Sequence, residues 1–153
     1  MKLISINIEI NRHYDTVLNF LKKEKPDVVC LQEVLEDDLP FQVVDFLLKS
    51  LDSMPEFVLC GDTNAPRGNE TFSRLATKYK DNIPAEYKTS IDQKLHRVKG
   101  IMFMVDGLFT TSSCIASNVR LQDGVSDHMA VLAEIEKSSI CFSFCYFYYR
   151  ISI

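Results

Sequence analysis

Three short polar motifs, each beside a strand-like hydrophobic run, constrain the fold of this chain more than any other feature. The motifs are Leu31-Gln32-Glu33, Gly61-Asp62-Thr63-Asn64 and Ser126-Asp127-His128. An apolar run typical of a buried strand leads into each of the first two motifs and follows the third. A sheet built from these runs would gather the three motifs at one rim.

Length and composition predict one soluble domain. With 153 residues, 46% of them hydrophobic and 25% charged, the chain can bury one core but is too short for two. No segment reaches the roughly 20 apolar residues of a membrane helix, so we expect no membrane span. The chain opens on an alternating pattern without the apolar core of a signal peptide, which favours a cytoplasmic location.

The net charge of -4 argues against a protein that coats DNA through a broad basic surface. Nucleic acid nevertheless stays open as a partner. A divalent cation held by carboxylates becomes the largest local charge and can turn an acidic patch into a phosphate-binding one.

Hydrophobic periodicity predicts alternating strands and helices, and therefore an α/β fold. We predict a strand over 3–10, a helix over 14–21 that stops before Pro26, and a strand over 28–34. Further elements follow in this order: a helix over 38–51, a strand over 57–60, a helix capped by Thr71, a loop over 80–100, and strands over 101–110 and 128–136.

We place the domain at residues 1–137 and a hydrophobic, aromatic tail at residues 138–153. The tail is rich in strand-forming residues, and Arg150 is its one charged residue after Lys137. Three interpretations are open: a last strand packed on the domain, an exposed interaction edge, or a sequence end that is not native to the domain.

The three motifs supply the residue types that phosphoester hydrolysis requires. The reaction needs a cation, a group that deprotonates or orients water, and donors for the charge that develops. Glu33 is an oxygen ligand suited to Mg²⁺. Asp62 could activate the attacking water, and Asn64 could orient it. His128 could donate to a phosphate oxygen, with Asp127 available as a ligand of metal or water.

The ordered motifs resemble the endonuclease/exonuclease/phosphatase family, whose fold is the deoxyribonuclease I-like α/β sandwich. The resemblance covers residues 1–137 and implies two further site residues, Asn7 at the end of the first strand and Asp106, which would pair with His128. It implies the following site: catalytic residues Asn7, Asp62, Asn64, Asp106 and His128, and Mg²⁺ or Mn²⁺ ligands Glu33 and Asp127.

The resemblance implies a divalent-metal-dependent phosphoester hydrolase, either a nuclease or a phosphatase. The family's substrates include nucleic acids, nucleotides and phosphoinositides, so the substrate stays open, as does the oligomeric state. The chain departs from the family in its middle. Only 27 residues separate Glu33 from Gly61, where family members carry more strands and a further His or Tyr of the site.

The short segment between Glu33 and Gly61 leads us to expect a reduced sandwich with a mixed sheet flanked by helices. An alternative function for the chain is that of a noncatalytic remnant that acts as a binding or interaction domain. A third hypothesis is a phosphate-binding module without turnover. The basic segment Lys94–Lys99 contains His96, and we expect it to be a solvated charged loop, which leaves His96 outside the catalytic core.

Overall fold

The computed structural model describes residues 1–7, 13–25, 28–32, 56–137 and 144–146. Glu33 and the helix predicted over 38–51 lie outside these ranges. In chain order the elements are β1 (Lys2–Asn7), α1 (Tyr14–Glu24), β2 (Val28–Gln32), β3 (Val58–Asp62), α2 (Glu70–Lys78), β4 (Lys80–Asp81), β5 (Asp106–Thr110), β6 (Cys114–Gln122), β7 (Ala130–Lys137) and β8 (Phe144–Tyr146).

The strands of the described residues form two four-stranded sheets. The first has the spatial order β2-β1-β7-β6 and the second has the order β4-β5-β3-β8. In the first sheet β1 runs parallel to β2 and antiparallel to β7. In the second sheet β3 runs antiparallel to β5 and parallel to β8. Both sheets are therefore mixed.

The two sheets pack against each other through one apolar core. Leu3 and Val131 of the first sheet share this core with Val58 and Leu108 of the second. Leu3 and Leu108 are fully buried. Because successive residues of a strand point to opposite faces, the neighbouring apolar residues are left to face outward, away from the opposite sheet.

Among the described elements, a helix covers each outward face. On the first sheet, Ile4 and Leu132 pack with Val17 of α1. On the second sheet, Leu59 and Phe109 pack in one cluster with side chains of α2. The described residues therefore form four layers in the order helix, sheet, sheet, helix. This packing explains why β1 and β3 are buried on both faces.

The structure corrects three of the predicted elements and adds one long strand. The helix α2 is capped by Asn69, whose side chain accepts a hydrogen bond from the backbone N–H of Thr71, so Thr71 is not the cap. The strand β3 continues through Asp62, which the sequence placed in a turn. The strand expected over 101–110 begins only at Asp106. The prediction missed β6 entirely, a strand of nine residues.

The late start of β5 has a clear cause in the backbone hydrogen bonds of residues 103–105. Their carbonyl groups accept from the N–H groups of three loop residues, Ser90, Arg67 and Thr63. These carbonyls are therefore used by loops rather than by a neighbouring strand.

Of the tail, residues 144–146 form β8 beside β3, which agrees with the interpretation of a last strand packed on the domain. The rest of the tail lies outside the described residues. Among the residues described, no helix is long and apolar enough to cross a membrane.

Candidate active site

Strand register brings five of the predicted site residues to one rim of the two sheets. Asn7 is the last residue of β1, and Asp62, the last residue of β3, stands opposite Asp106, the first residue of β5. The start of β7 lies near the end of β1 because these strands are antiparallel. We call the following residues the rim cluster: Asn7, Asp62, Asp106, Asp127 and His128. All five are buried.

Gln32 joins the two sheets at this rim. Its amide nitrogen donates to Ser5 Oγ over 2.7 Å, and its amide oxygen accepts a hydrogen bond from the backbone N–H of Asp62. Asn7 makes a second link, since its Nδ2 lies 3.4 Å from Asp62 Oδ2. The middle residue of the Leu31-Gln32-Glu33 motif therefore positions Asp62, a function that the sequence analysis did not assign.

Asp62 also shapes the turn that follows it. Its Oδ1 accepts a hydrogen bond of 2.7 Å from the backbone N–H of Asn64. Asn64 has a left-handed backbone with φ of 50°, a conformation that asparagine adopts more readily than most residues. The Thr63 hydroxyl donates to the Val105 carbonyl over 2.7 Å and ties the turn to the residue before Asp106. The turn thus holds Asn64 next to the Asp62 carboxylate.

Asp106 and His128 form a buried pair, with 2.8 Å between Asp106 Oδ2 and His128 Nδ1. Burial acts to lower the pKa of His128. The charge of Asp106, its hydrogen bond to the ring, and the charges of Asp62 and Asp127 outweigh burial and raise the pKa to about 10. His128 is therefore an imidazolium at neutral pH, which makes it a hydrogen-bond donor rather than a base.

Asp127 is held by the segment that contains residues 90–92. Its backbone carbonyl accepts from the N–H of Asp92 over 2.8 Å, and its Oδ1 is 3.2 Å from the Ser126 hydroxyl. Ser90 supports the same region, because its Oγ accepts from the N–H of Asp106 over 3.2 Å and its carbonyl accepts from the N–H of Met129. Nothing in the sequence pattern marks Ser90 or Asp92 as part of the site.

His96 also lies beside the rim cluster. Its ring centroid is 6.4 Å from that of His128, and the two ring planes are inclined by 53°. The residue is half-buried, whereas its neighbours Arg97 and Val98 are exposed. The exposed cations of the segment agree with the expected solvated loop, whereas the His96 ring is partly covered and lies beside His128. The position of His96 depends on how the loop folds back, which spacing along the sequence does not reveal.

The described residues include no group of three or more His, Cys, Asp and Glu side chains that could hold a metal ion. Glu33, the main predicted ligand, lies outside them. The donor chemistry of the rim still suits Mg²⁺, because Asp62, Asp127 and Asn7 offer oxygen atoms rather than thiolates. Mg²⁺ is usually bound through one or two carboxylates and keeps several waters.

Comparison with known proteins gives one result that covers most of the chain. The sequence profile described as "Endonuclease/Exonuclease/phosphatase family" matches residues 4–128, a span that contains the whole rim cluster. No curated protein matches the chain. Members of this family are in general hydrolases of phosphoester bonds that typically use divalent metals. The chain therefore belongs to the endonuclease/exonuclease/phosphatase family, which implies a deoxyribonuclease I-like α/β fold.

Proposed function

We propose that this chain is a divalent-metal-dependent phosphoester hydrolase on a shortened deoxyribonuclease I-like sandwich. The observation that carries the proposal is the buried Asp106–His128 pair at the rim where the Asp62 carboxylate also lies. A protonated histidine and an acceptor carboxylate are the two kinds of group that attack of water on a phosphoester needs. Family membership supports the same reaction type.

In the proposed reaction Asp62 accepts a proton from the attacking water. Hydrogen bonds from Asn64 N–H and Asn7 Nδ2 fix the orientation of its carboxylate. The side-chain amide of Asn64 would hold that water in line with the phosphorus atom, where a fixed geometry contributes most to the rate.

His128 donates a hydrogen bond to the phosphoryl oxygen that gains charge. Its Nδ1 is engaged by Asp106, so Nε2 is the nitrogen that faces the substrate. Because Asp106 keeps the ring protonated, the donor is in place before the substrate arrives. Donors that need no reorganisation at the moment of reaction stabilise the transition state most effectively.

Glu33 and Asp127 would hold the Mg²⁺ or Mn²⁺ ion of this site. When bound, the ion supplies positive charge that polarises the phosphoryl group and offsets the negative charge of the rim carboxylates. The Mg²⁺ site, the roles of the individual residues, and a cytoplasmic location are predictions from the sequence and the family. The alcohol part of the substrate, whether nucleic acid or a smaller phosphoester, is left open by this proposal.

The test is hydrolysis of single-stranded DNA, double-stranded DNA, RNA and a chromogenic phosphodiester, each with Mg²⁺ and with a chelator. We expect turnover that the chelator abolishes and that Asp62→Asn lowers by about 10²- to 10⁴-fold. Thermal unfolding of both proteins checks that they are folded. Full activity in the folded Asp62→Asn variant would contradict the proposed role of Asp62.

The short spacing between Glu33 and Gly61 favours one other function, that of a noncatalytic remnant that binds a partner. The two functions differ in their response to metal. An assembled site gains thermal stability from millimolar Mg²⁺, because a ligand that binds only the folded state stabilises it. No Mg²⁺ shift and no turnover from folded protein would support the remnant, whereas a Mg²⁺ shift without turnover would indicate a phosphate-binding module.

A further inference from the structure

The loop of residues 92–99 is fixed to the segment that carries His128. The Asp92 carboxylate accepts hydrogen bonds of 2.7 Å from Lys94 N–H and 2.6 Å from Gly124 N–H. Its backbone N–H donates to the Asp127 carbonyl over 2.8 Å. One buried aspartate therefore folds the loop and joins it to Gly124, just before the Ser126-Asp127-His128 motif, and to Asp127 within the motif.

Within this loop the His96 side chain is held in one orientation. Its backbone N–H donates to the Asp92 carbonyl over 2.9 Å. Its Nδ1 lies 2.8 Å from the Val98 carbonyl oxygen and 3.1 Å from the Val98 nitrogen. Since Nδ1 contacts the loop backbone, Nε2 is the nitrogen through which the ring can meet a ligand. The ring stands beside His128, with 6.4 Å between the centroids.

The loop brings positive charge to a rim that is otherwise acidic. Lys94, Arg97 and Lys99 are exposed there. Lys99 donates to the backbone carbonyls of Lys94 and His96, over 2.8 and 2.9 Å, and so keeps its ammonium group beside the histidine. The loop therefore presents exposed cations in the same segment as the His96 ring, which favours an anionic ligand.

We infer that His96 is a substrate-binding residue that contacts a phosphoryl oxygen of the ligand through Nε2, alongside the contact made by His128. Two rings at this separation can reach two oxygens of the same tetrahedral phosphate group. The inference rests on the proposed function, since it names a further phosphate contact of the same site. His96 lies outside the site predicted from the sequence, and the further histidine or tyrosine expected between Glu33 and Gly61 has no counterpart there.

Two conservative variants separate binding of phosphate from support of the loop. In His96→Asn the amide group can take the place of Nδ1, so the contact with Val98 is kept but nothing replaces Nε2. In His96→Gln the longer side chain brings its amide close to the position of Nε2. The control is Lys88→Gln, which removes the charge of an exposed lysine outside the 92–99 loop.

The measurement is titration of each protein with inorganic phosphate in the presence of Mg²⁺, by calorimetry, together with thermal unfolding. We expect His96→Asn to raise the phosphate Kd by roughly tenfold or more, the effect of losing one hydrogen bond to a charged group. The unfolding temperature should stay near that of the wild type. His96→Gln should retain most of the affinity, and Lys88→Gln should bind as the wild type does.

Wild-type affinity in His96→Asn would overturn the inference, and so would a wild-type protein that binds no phosphate. A loss of affinity in His96→Gln that exceeds the loss in His96→Asn would also overturn it, because it would assign the ring a role in the loop alone. Affinity that depends on His96 in a protein without turnover would uphold the inference while the proposed hydrolase function fails. Turnover that His96→Asn leaves unchanged would uphold that function and reject the inference.

Discussion

Two buried aspartates, Asp106 and Asp92, serve different ends in this molecule. Each is about 1% exposed, and each contacts the segment that carries His128. Asp106 faces a titratable ring, with 2.8 Å between its Oδ2 and His128 Nδ1. Asp92 instead accepts hydrogen bonds from three backbone N–H groups, those of Lys94, Leu95 and Gly124.

The difference between the two lies in what their partners can do. A backbone N–H cannot change its charge, so the hydrogen bonds of Asp92 fix a loop conformation. Burial acts to raise the pKa of Asp92, but the N–H donors together lower it, which keeps the carboxylate charged. Asp106 instead determines the charge of His128. The Asp92 carboxylate therefore stabilises the loop, whereas the Asp106 carboxylate keeps His128 protonated.

Of the variants of these two aspartates, Asp106→Asn should have the larger effect on turnover. The amide keeps the size of the side chain but loses its charge, so the pKa of His128 falls and the ring is less often a charged donor at neutral pH. We expect kcat/KM for phosphoester hydrolysis to fall by about 10²-fold or more at pH 7. NMR titration of the His128 ring reports the shift in pKa directly.

The matched control for Asp106→Asn is Asp92→Asn, which removes an equally buried charge from the loop. Comparable losses of turnover in the two variants, with the His128 pKa unchanged in both, would contradict the claim that Asp106 controls the charge of His128 while Asp92 only stabilises the loop.

The two aspartates also predict opposite pH dependences of stability. The pKa of His128 is raised from its usual value of about 6.5 to about 10 in the folded protein. Its contribution to stability is therefore complete below about pH 6.5 and is lost as the pH rises through about 10. The pKa of Asp92 is lowered in the folded protein. Its contribution to stability is complete at pH values above the pKa of the unfolded chain and is lost as the pH falls through the pKa of the folded protein.

Urea unfolding at several pH values tests this contrast. The variant His128→Gln removes the loss of stability that deprotonation of His128 causes at alkaline pH. The wild type should lose stability between about pH 7 and 10 more steeply than His128→Gln does. Equal alkaline slopes in the two proteins would mean that the Asp106–His128 pair does not hold a proton that the unfolded chain releases.

Local patterns in the sequence were sufficient to predict elements whose bounds depend on neighbouring residues along the chain. The helix α1 spans Tyr14–Glu24 and ends before Pro26, as its periodicity predicts. The polar motifs follow or precede buried strands, so a common rim for Asp62 and His128 could be expected from the sequence pattern. Asp106, which stands opposite Asp62, was implied only by the resemblance to the family. The roles of these residues and the Mg²⁺ site stay predictions, because Glu33 lies outside the described residues.

Tertiary contacts explain what the sequence could not reveal. The register of β6 shifts between Ser117 and Arg120, where Asn118 has a positive φ, so the alternation that marks a strand is interrupted. His96 and Asp92 reach the rim only because the loop folds back on itself. Asn69 and Thr71 are both capable caps, and only the path of the backbone shows which one is used.

Asp92→Asn should lower the free energy of unfolding by about 1–3 kcal/mol, the cost of leaving a buried polar group without its partner. The new amide oxygen can accept either from Lys94 and Leu95 N–H or from Gly124 N–H, and the NH₂ group then faces an N–H donor on the other side. Urea unfolding at pH 7 measures this loss. Turnover well below the unfolding temperature should fall much less than in Asp106→Asn. A stable Asp92→Asn protein with the wild-type unfolding midpoint would show that the loop does not depend on these hydrogen bonds.

The smallest effect should come from Asn69→Ala, which removes a single side-chain contact with the backbone. Asn69 Oδ1 accepts from Thr71 N–H over 3.0 Å at the exposed start of α2, where water can replace the lost bond. We expect a loss of about 1 kcal/mol in the free energy of unfolding, typical of a helix cap, and unchanged turnover. Asp92 accepts from three N–H groups and is buried, so its variant should lose more. A larger loss from Asn69→Ala than from Asp92→Asn would mean that neither burial nor the number of N–H partners sets the cost at these two sites. The loop of residues 92–99 would then be held chiefly by its other contacts.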